Sequence, residues 1–438
     1  MVFNLVSAGS ELLQRRRVGA DEVSAGTPLK HFDLARSCAA LVLAACFYSL
    51  VLCWLFSRGL PVTNTIVAVA DGAIVLSALG VVMISRPMAL AIVLTGLALN
   101  FALIALISQN LDLKSLRDPL AIIAFLGLGL FFGNMRHAQR VFFAIAASVI
   151  GFGVFELLAP RLYATTFNVL QFYIMRGLVD PSASAWVDNS LFVSSIRGGA
   201  RNLLPMLGPH RVSSIFLEPV SMGNFGAIAI AWALSLGRGA RRAALAAGGV
   251  GAAAIVMADA RFAVVASFSF VCARFVPLAW TRLVLAPLPI IALAVLICCS
   301  TWFAPTGDDL PSRLSISGTA IRSLSPAEIF GLAPGGAATL DSGYAYVLTA
   351  FGLPLCIGLW AVFVWLPTTS VASTRFKLLV GFYICTLLCV SGSSLFALKT
   401  AALLWFLMGS MMAEERVTLM AIPARLPRAH ALQHATAK

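Results

Sequence analysis

The chain has 438 residues, of which 60% are hydrophobic and 11% charged, and it carries a formal net charge of +13. Its mean hydropathy of +0.93 lies far above that of soluble globular chains, which excludes a water-soluble enzyme or a cytosolic binding module. The excess of basic residues comes with no soluble domain in which cations and aromatics alternate, so nucleic acid is excluded as a partner.

Residues 1–36 are polar and hold "QRRR" at Gln14 to Arg17; they lack the short apolar core and small-residue site of a cleavable signal and are expected to form a cytoplasmic segment. From residue 37 to 412, apolar runs recur that are long enough to cross a hydrocarbon layer about 30 Å thick. They predict about twelve spans, near 37–57, 62–84, 87–108, 119–133, 141–160, 212–237, 243–259, 262–279, 283–303, 343–366, 377–391 and 395–412. The fold class expected is an all-α polytopic membrane protein forming a single domain, with residues 413–438 as a cytoplasmic tail.

An even number of spans places both termini on one side. The short basic connections "GNMRHAQR" (Gly133 to Arg140) and "GRGARR" (Gly237 to Arg242) make that side the cytoplasm. The remaining positive charge is expected to meet anionic lipid headgroups. The nine cysteines fall within or beside the apolar runs and read as small buried hydrophobes. The five histidines show no paired spacing, so neither a metal site nor another cofactor is expected.

Two connections are long, 161–211 and 304–342, and both fall on the extracytoplasmic side. In the first, "YATTFNVLQFYIMR" places Tyr163, Phe167, Leu170 and Ile174 at helical spacing, which predicts a short helix lying on the membrane surface. In the second, "SPAE" predicts a helix start with Ser325 as N-cap, Pro326 in the first turn and Glu328 closing a capping box.

Charges inside or beside apolar runs cost about 2.5–3.5 kcal/mol each at mid-bilayer on insertion scales. Asp71 lies within the second span and reads equally as an interior polar contact or a functional group. Glu156 and Lys399, nearer span ends, read as structural pairing or snorkelling. Three other groups fall at outer span ends. "RVSSIFLEPVSMGNFG", Arg211 to Gly226, sets Glu218 two helical turns from Arg211 and directly before Pro219, with Gly223 and Gly226 beyond. It reads as a broken helix facing a cavity, or more simply as a kinked helix with Glu218 paired to Arg211. "ADARF" puts Asp259 and Arg261 in a tight outer turn that is either functional or merely solvated. "LDSGYAY" offers Asp341 and Ser342 as caps and Tyr344 as an interfacial aromatic.

The same face gathers Arg176, Arg197, Arg201, His210 and Arg211. Guanidinium groups suit bidentate binding of phosphate oxygens, and a nearby carboxylate or imidazole can take a proton from a sugar hydroxyl. Physical chemistry alone thus suggests a site for an anionic amphiphile whose tail stays in the bilayer.

"HRVSSIFLEPVSMGNFG" from His210, the "ADAR" turn and "DSGY" at 341–344 resemble the bacterial polysaccharide polymerases. These integral-membrane enzymes polymerise lipid-linked repeat units of O-antigens and exopolysaccharides and are related to O-antigen ligases. The Arg211 to Pro219 pattern resembles most the exopolysaccharide branch, which includes xanthan-type polymerases. The resemblance implies a GT-C-like, metal-independent glycosyltransferase of the bacterial inner membrane, acting at the periplasmic face on an undecaprenyl-diphosphate-linked oligosaccharide. Polysaccharide export and chain-length proteins are its implied partners. Carried onto this chain, it implies that Arg211 and Arg261 bind the diphosphate, that Glu218 or His210 is the base, and that Asp341 and Tyr344 position the acceptor. Asp259 joins the substrate-binding set, while Arg197 and Arg201 rest on their chemistry, because the sequence around them matches no motif. The alternatives are a ligase-type glycan transferase, a transporter or flippase of lipid-linked oligosaccharide, and a non-catalytic assembly partner. A transporter would favour internal repeats and mid-bilayer sites, neither of which is evident.

Overall fold

The computed structural model describes residues 28–85, 87–109, 112–182, 191, 195, 203–304, 310–333, 342–368, 370–392 and 394–421. The described elements are helices without strands. Eight of them are long and apolar enough to cross a membrane, or nine if the bent pair Arg261–Ala273 and Leu278–Leu285 counts as one span, and the protein is therefore a multi-pass membrane protein.

Five helices open the chain: α1 (Pro28–Ser57), α2 (Asn64–Ser85), α3 (Pro87–Ser108), α4 (Leu113–Phe132) and α5 (Met135–Leu158). Asp112 caps α4 by accepting the Lys114 N–H at 3.0 Å, and Asn134 caps α5 by accepting that of His137 at 2.8 Å. Two short helices follow, α6 (Pro160–Phe167) and α7 (Val169–Met175), broken at Asn168, whose φ of 45° is left-handed.

This pair corrects the surface helix expected over 163–176. Tyr163, Phe167 and Leu170 are buried against protein and Ile174 is half-buried, and the break at Asn168 divides the four between two short helices. The Thr166 and Phe167 carbonyls accept bonds from Ser57 Oγ (2.6 Å) and Cys53 Sγ (2.9 Å) at the end of α1. Helical spacing announces an apolar face; it does not say whether lipid or protein covers it.

The remaining helices are α8 (Pro219–Ser235), α9 (Arg241–Ala258), α10 (Arg261–Ala273), α11 (Thr281–Leu285), α12 (Leu288–Trp302), α13 (Leu310–Arg322), α14 (Pro326–Ile329), α15 (Gly343–Trp365), α16 (Val371–Leu388) and α17 (Leu398–Ala421). The helix expected over 212–237 begins only at Pro219. Residues 211–218 form an irregular segment in which Ser214 and Leu217 have φ of 54° and 61°. Pro219 occupies the first helical position and Glu218 is extended (φ −140°, ψ 127°), as a residue before proline prefers. Arg211 and Glu218 therefore share no helical face. Gly223 and Gly226 lie inside α8, which is not unwound there. Their missing side chains allow close approach, since a Cβ on Gly223 would strike that of Ala260.

Within the second long connection, the described residues 310–333 are largely helical. α13 runs back along α12, with Gly318 against the Leu296 carbonyl and Ser315 Oγ donating to the Phe303 carbonyl at 2.6 Å. α14 carries the expected capping box: Ser325 Oγ accepts the Glu328 N–H at 3.3 Å, and Glu328 Oε2 accepts the Ser325 N–H at 2.8 Å. Those bonds hold the Glu328 carboxyl below the usual glutamate range. Just beyond, Gly331 packs on Gly352, the kink of α15, where φ is 74° and Pro354 follows two residues later. Gly352 lies nine residues into α15, about 14 Å along its axis at 1.5 Å per residue. The connection thus dips beside the bundle and does not stand wholly clear of it.

Core packing relies on small residues where helices cross. Cβ atoms on Gly129 of α4 and Gly409 of α17 would each collide with the other helix's carbonyls, so the two backbones meet directly. At one end of the bundle Lys377 is buried, and its Nζ donates to the Val364 (3.0 Å) and Leu366 (2.8 Å) carbonyls, closing the C-terminus of α15 with a cation.

Candidate functional site

At the other end, helix starts and helix ends are tied to one another by polar side chains. The start of α17 bonds the start of α8 through Lys399 and Glu218, and the end of α5 bonds the irregular 211–218 segment through Glu156. The first turns of α4 and α15 join through Asp118 and Tyr346 at 2.7 Å. Of the outer-end residues singled out in the sequence, Arg211 and Arg261 come together in one cavity, described below. Arg197, Arg201 and Asp341 lie outside the described residues.

The irregular segment is built around Glu156, which is fully buried. Its carboxylate accepts the backbone N–H groups of Ser213 (2.9 Å) and Ser214 (2.6 Å), the Ser213 hydroxyl (3.3 Å), and faces His210 Nε2 at 3.0 Å. Tyr163 supports the same turn by donating to the Ser214 carbonyl at 2.7 Å. These bonds offset the left-handed backbone at Ser214 and hold the preceding residues along the end of α9. There Val212 N–H reaches the Met257 carbonyl (3.0 Å), and Arg211 Nε donates to the Ala258 carbonyl (3.0 Å).

The "ADAR" turn joins α9 to α10 and is not a solvated turn. Asp259 is completely buried in a left-handed conformation (φ 48°), and its Oδ1 accepts the Leu203 N–H at 3.0 Å. It fastens the first long connection to the bundle, a structural task, and places Arg261 at the first turn of α10.

Arg211 and Arg261 line one cavity of about 190 Å³, and a third guanidinium, Arg313 of α13, lines it with them. Val220 and Gly223 of α8 form one wall, and Ser391, just past α16, adds a hydroxyl. Among the described residues no acidic side chain is in the lining, and three guanidinium groups meet there. Its size suits an anionic headgroup; pockets for larger organic ligands run to about 300–1,000 Å³. Three guanidiniums confined together favour any anion that enters, because oxygen–guanidinium contacts in a partly dry site are charge-assisted and multidentate.

The other residues singled out in the sequence lie elsewhere. Glu218 is paired with Lys399 at 2.7 Å, not with Arg211, and its carboxylate also accepts from Tyr173 (2.7 Å) and Ser221 (3.0 Å). His210 faces Glu156. Tyr344 is buried, not interfacial, and does not line the cavity. Ser342 does cap α15, accepting the Ala345 N–H at 3.3 Å, and Gly343 lets the Ser391 carbonyl come close. The described part of that stretch, Ser342 to Tyr344, thus borders the cavity wall instead of facing its interior.

Several functional-face residues were missed. Arg313 is not among the residues the sequence singles out, although Ser312, Ser315 and Gly318 give α13 a helical stripe of small residues that marks a packed helix. Arg117 and Asp118 sit just before the span expected at 119. Arg117 bridges Asp71 (2.5 Å) and Asp118 (2.6 Å), which identifies Asp71 as an interior polar contact. Arg176 does not reach the cavity; its Nε donates to Asn64 at 3.0 Å and its guanidinium lies over Phe172 and Tyr173.

No family model, no curated protein and no solved structure matches this chain.

Proposed function

We propose that this protein is a membrane glycosyltransferase that polymerises undecaprenyl-diphosphate-linked oligosaccharide repeat units into exopolysaccharide or O-antigen-type glycan. The observation that carries the reading is the cavity that brings Arg211, Arg261 and Arg313 together at one end of an apolar bundle. A diphosphate held there keeps its lipid chain beside the helices and its sugar at the bundle end. Cationic groups aimed at the departing diphosphate stabilise the charge that develops as it leaves, usually the largest contribution such a site makes.

The reaction joins the acceptor hydroxyl oxygen to the anomeric carbon, breaks the bond from that carbon to phosphate, and sends the hydroxyl proton to a base. Glu218 is the base in this reading. The lipid diphosphate leaves with the bonding electrons, and no metal is required for charge compensation where three guanidiniums supply it. Eight helices are long and apolar enough to cross a membrane, nine with the bent pair, and this reading counts the shorter apolar helices Pro219–Ser235, Leu288–Trp302 and Leu398–Ala413 as crossings too. With the short basic loops inside, the even number so reached would put both termini in the cytoplasm and the arginine cavity at the periplasmic face of the inner membrane, where export and chain-length partners would meet the product.

Deleting the gene and sizing the lipid-linked glycan tests the reading. The expected result is accumulation of single repeat units and no polymer. Full-length polymer on the carrier lipid with none on its final acceptor would indicate a ligase. Repeat units confined to the cytoplasmic leaflet would indicate a flippase.

A further inference from the structure

The arginine cavity and the Glu218 carboxylate are two separate places, one on each flank of the first turn of α8. Val220 and Gly223, three residues apart and so on one helical face, line the cavity. Glu218 and Ser221, also three apart and bonded to each other, face Lys399 of α17 and Tyr173 of α7. The arginines come from the segment before α8, from α10 and from α13. None of those elements supplies a partner to Glu218.

The second place is built to keep a carboxylate ionised and aimed. Lys399, with only 8% of its side chain exposed, donates to Glu218 Oε2 at 2.7 Å and to the Phe216 carbonyl at 2.8 Å, so its ammonium is fixed from two sides. Tyr173 donates to Oε1 at 2.7 Å, and Ser221 to Oε2 at 3.0 Å. Arg176 lies over the Tyr173 ring at 5.4 Å. Among the described residues, these are the charged and titratable groups around the carboxylate. Despite three such bonds, 30% of the Glu218 side chain stays exposed. The pair buries its cation and leaves part of its anion open. That asymmetry suits a group that must meet something from outside.

We infer that the open flank of α8, formed by Glu218 with Lys399, Tyr173 and Ser221, is the acceptor subsite, where the carboxylate receives the proton of an incoming sugar hydroxyl while the lipid diphosphate occupies the arginine flank. The inference rests on the glycosyltransferase reading above and adds to it the place of the acceptor and the role of Lys399. Lys399 is a positioning residue: it touches no substrate and acts through Glu218. The hydroxyl proton passes to a Glu218 carboxylate oxygen as its oxygen bonds to the anomeric carbon, and the electrons of the broken bond leave with the diphosphate. Donor and acceptor thus approach across the start of one helix, and neither has to displace the other between additions.

The test uses the full-length protein in lipid nanodiscs with lipid-linked repeat unit as substrate, comparing wild type, Lys399→Met and Lys399→Arg. Glu218 is followed by the infrared band of its protonated carboxyl, assigned through its loss in Glu218→Gln. Removing a cation within about 4–6 Å of a carboxylate moves its titration up by about 1–3 pH units. In Lys399→Met the band is expected to persist to a pH higher by that amount, and the acidic limb of the activity profile to move with it. The turnover number at neutral pH falls while KM for the lipid-linked donor stays, and Lys399→Arg restores both readouts. An unmoved band, a band that moves without the activity limb, or a loss confined to KM overturns the inference. Should Lys399→Met fail to accumulate, Tyr173→Phe removes a milder donor from the same carboxylate; a smaller shift in the same direction supports the inference and no shift overturns it. A wild-type protein that forms no polymer from the repeat unit fails the glycosyltransferase reading itself, whatever the band does.

Discussion

Arg211→Ala is expected to abolish polymer while the protein still accumulates in the membrane. A preorganised donor aimed at developing charge is worth about 10²–10³ in turnover, and polymerisation multiplies the deficit over every added unit. The substitution also leaves the Ala258 carbonyl without the Arg211 Nε bond, a loss of about 1–3 kcal/mol if nothing replaces it. Two measurements separate the effects: protein level by immunoblot, and polymer by gel sizing of extracted glycan. Arg211→Lys retains the charge and loses the planar fork, so it is expected to fall between wild type and alanine. Wild-type polymer from Arg211→Ala at normal protein level would remove Arg211 from the proposed reaction.

Glu156→Ala is expected to lower stability more than any other single substitution on this face. It strips a fully buried acceptor from two backbone N–H groups, the Ser213 hydroxyl and His210 at once. Breaking a buried, hydrogen-bonded charge network by removing one member costs about 3–5 kcal/mol. Because the lost bonds hold the 211–218 segment in its left-handed turns, Arg211 loses its placement too, and activity falls with stability. Glu156→Gln keeps one acceptor oxygen and should lose less of both. Thermal unfolding of the purified variants, followed by tryptophan fluorescence, reads the difference; equal midpoints for wild type and Glu156→Ala would contradict the role assigned to this carboxylate.

Helix positions were legible in the sequence because a bilayer imposes one strong requirement, a long apolar run, and each of the twelve expected spans contains or overlaps a helix. Arg211 and Arg261 were legible for a related reason: guanidinium groups at the ends of such runs are costly and stand out. What the sequence does not carry is which end meets which. Glu218 and Lys399 are 181 residues apart, Arg117 and Asp71 are 46 apart, and Glu156 and His210 are 54 apart. No local period connects them. The expectation that Arg211 and Glu218 would face each other came from counting helical turns through a segment that is not helical. Arg313 escaped notice because α13 is polar and small-faced, a pattern that marks a helix packed on protein and gives no apolar run.

The central claim is that three guanidiniums hold a lipid-borne diphosphate. It is tested most directly by titrating nanodiscs of the purified protein with undecaprenyl diphosphate and, separately, with undecaprenol, for wild type and for Arg261→Ala. Saturable binding of the diphosphate by wild type, weakened at least tenfold by Arg261→Ala and absent for the alcohol, is the predicted result. Equal affinity for diphosphate and alcohol, or diphosphate binding indifferent to Arg261, would contradict it.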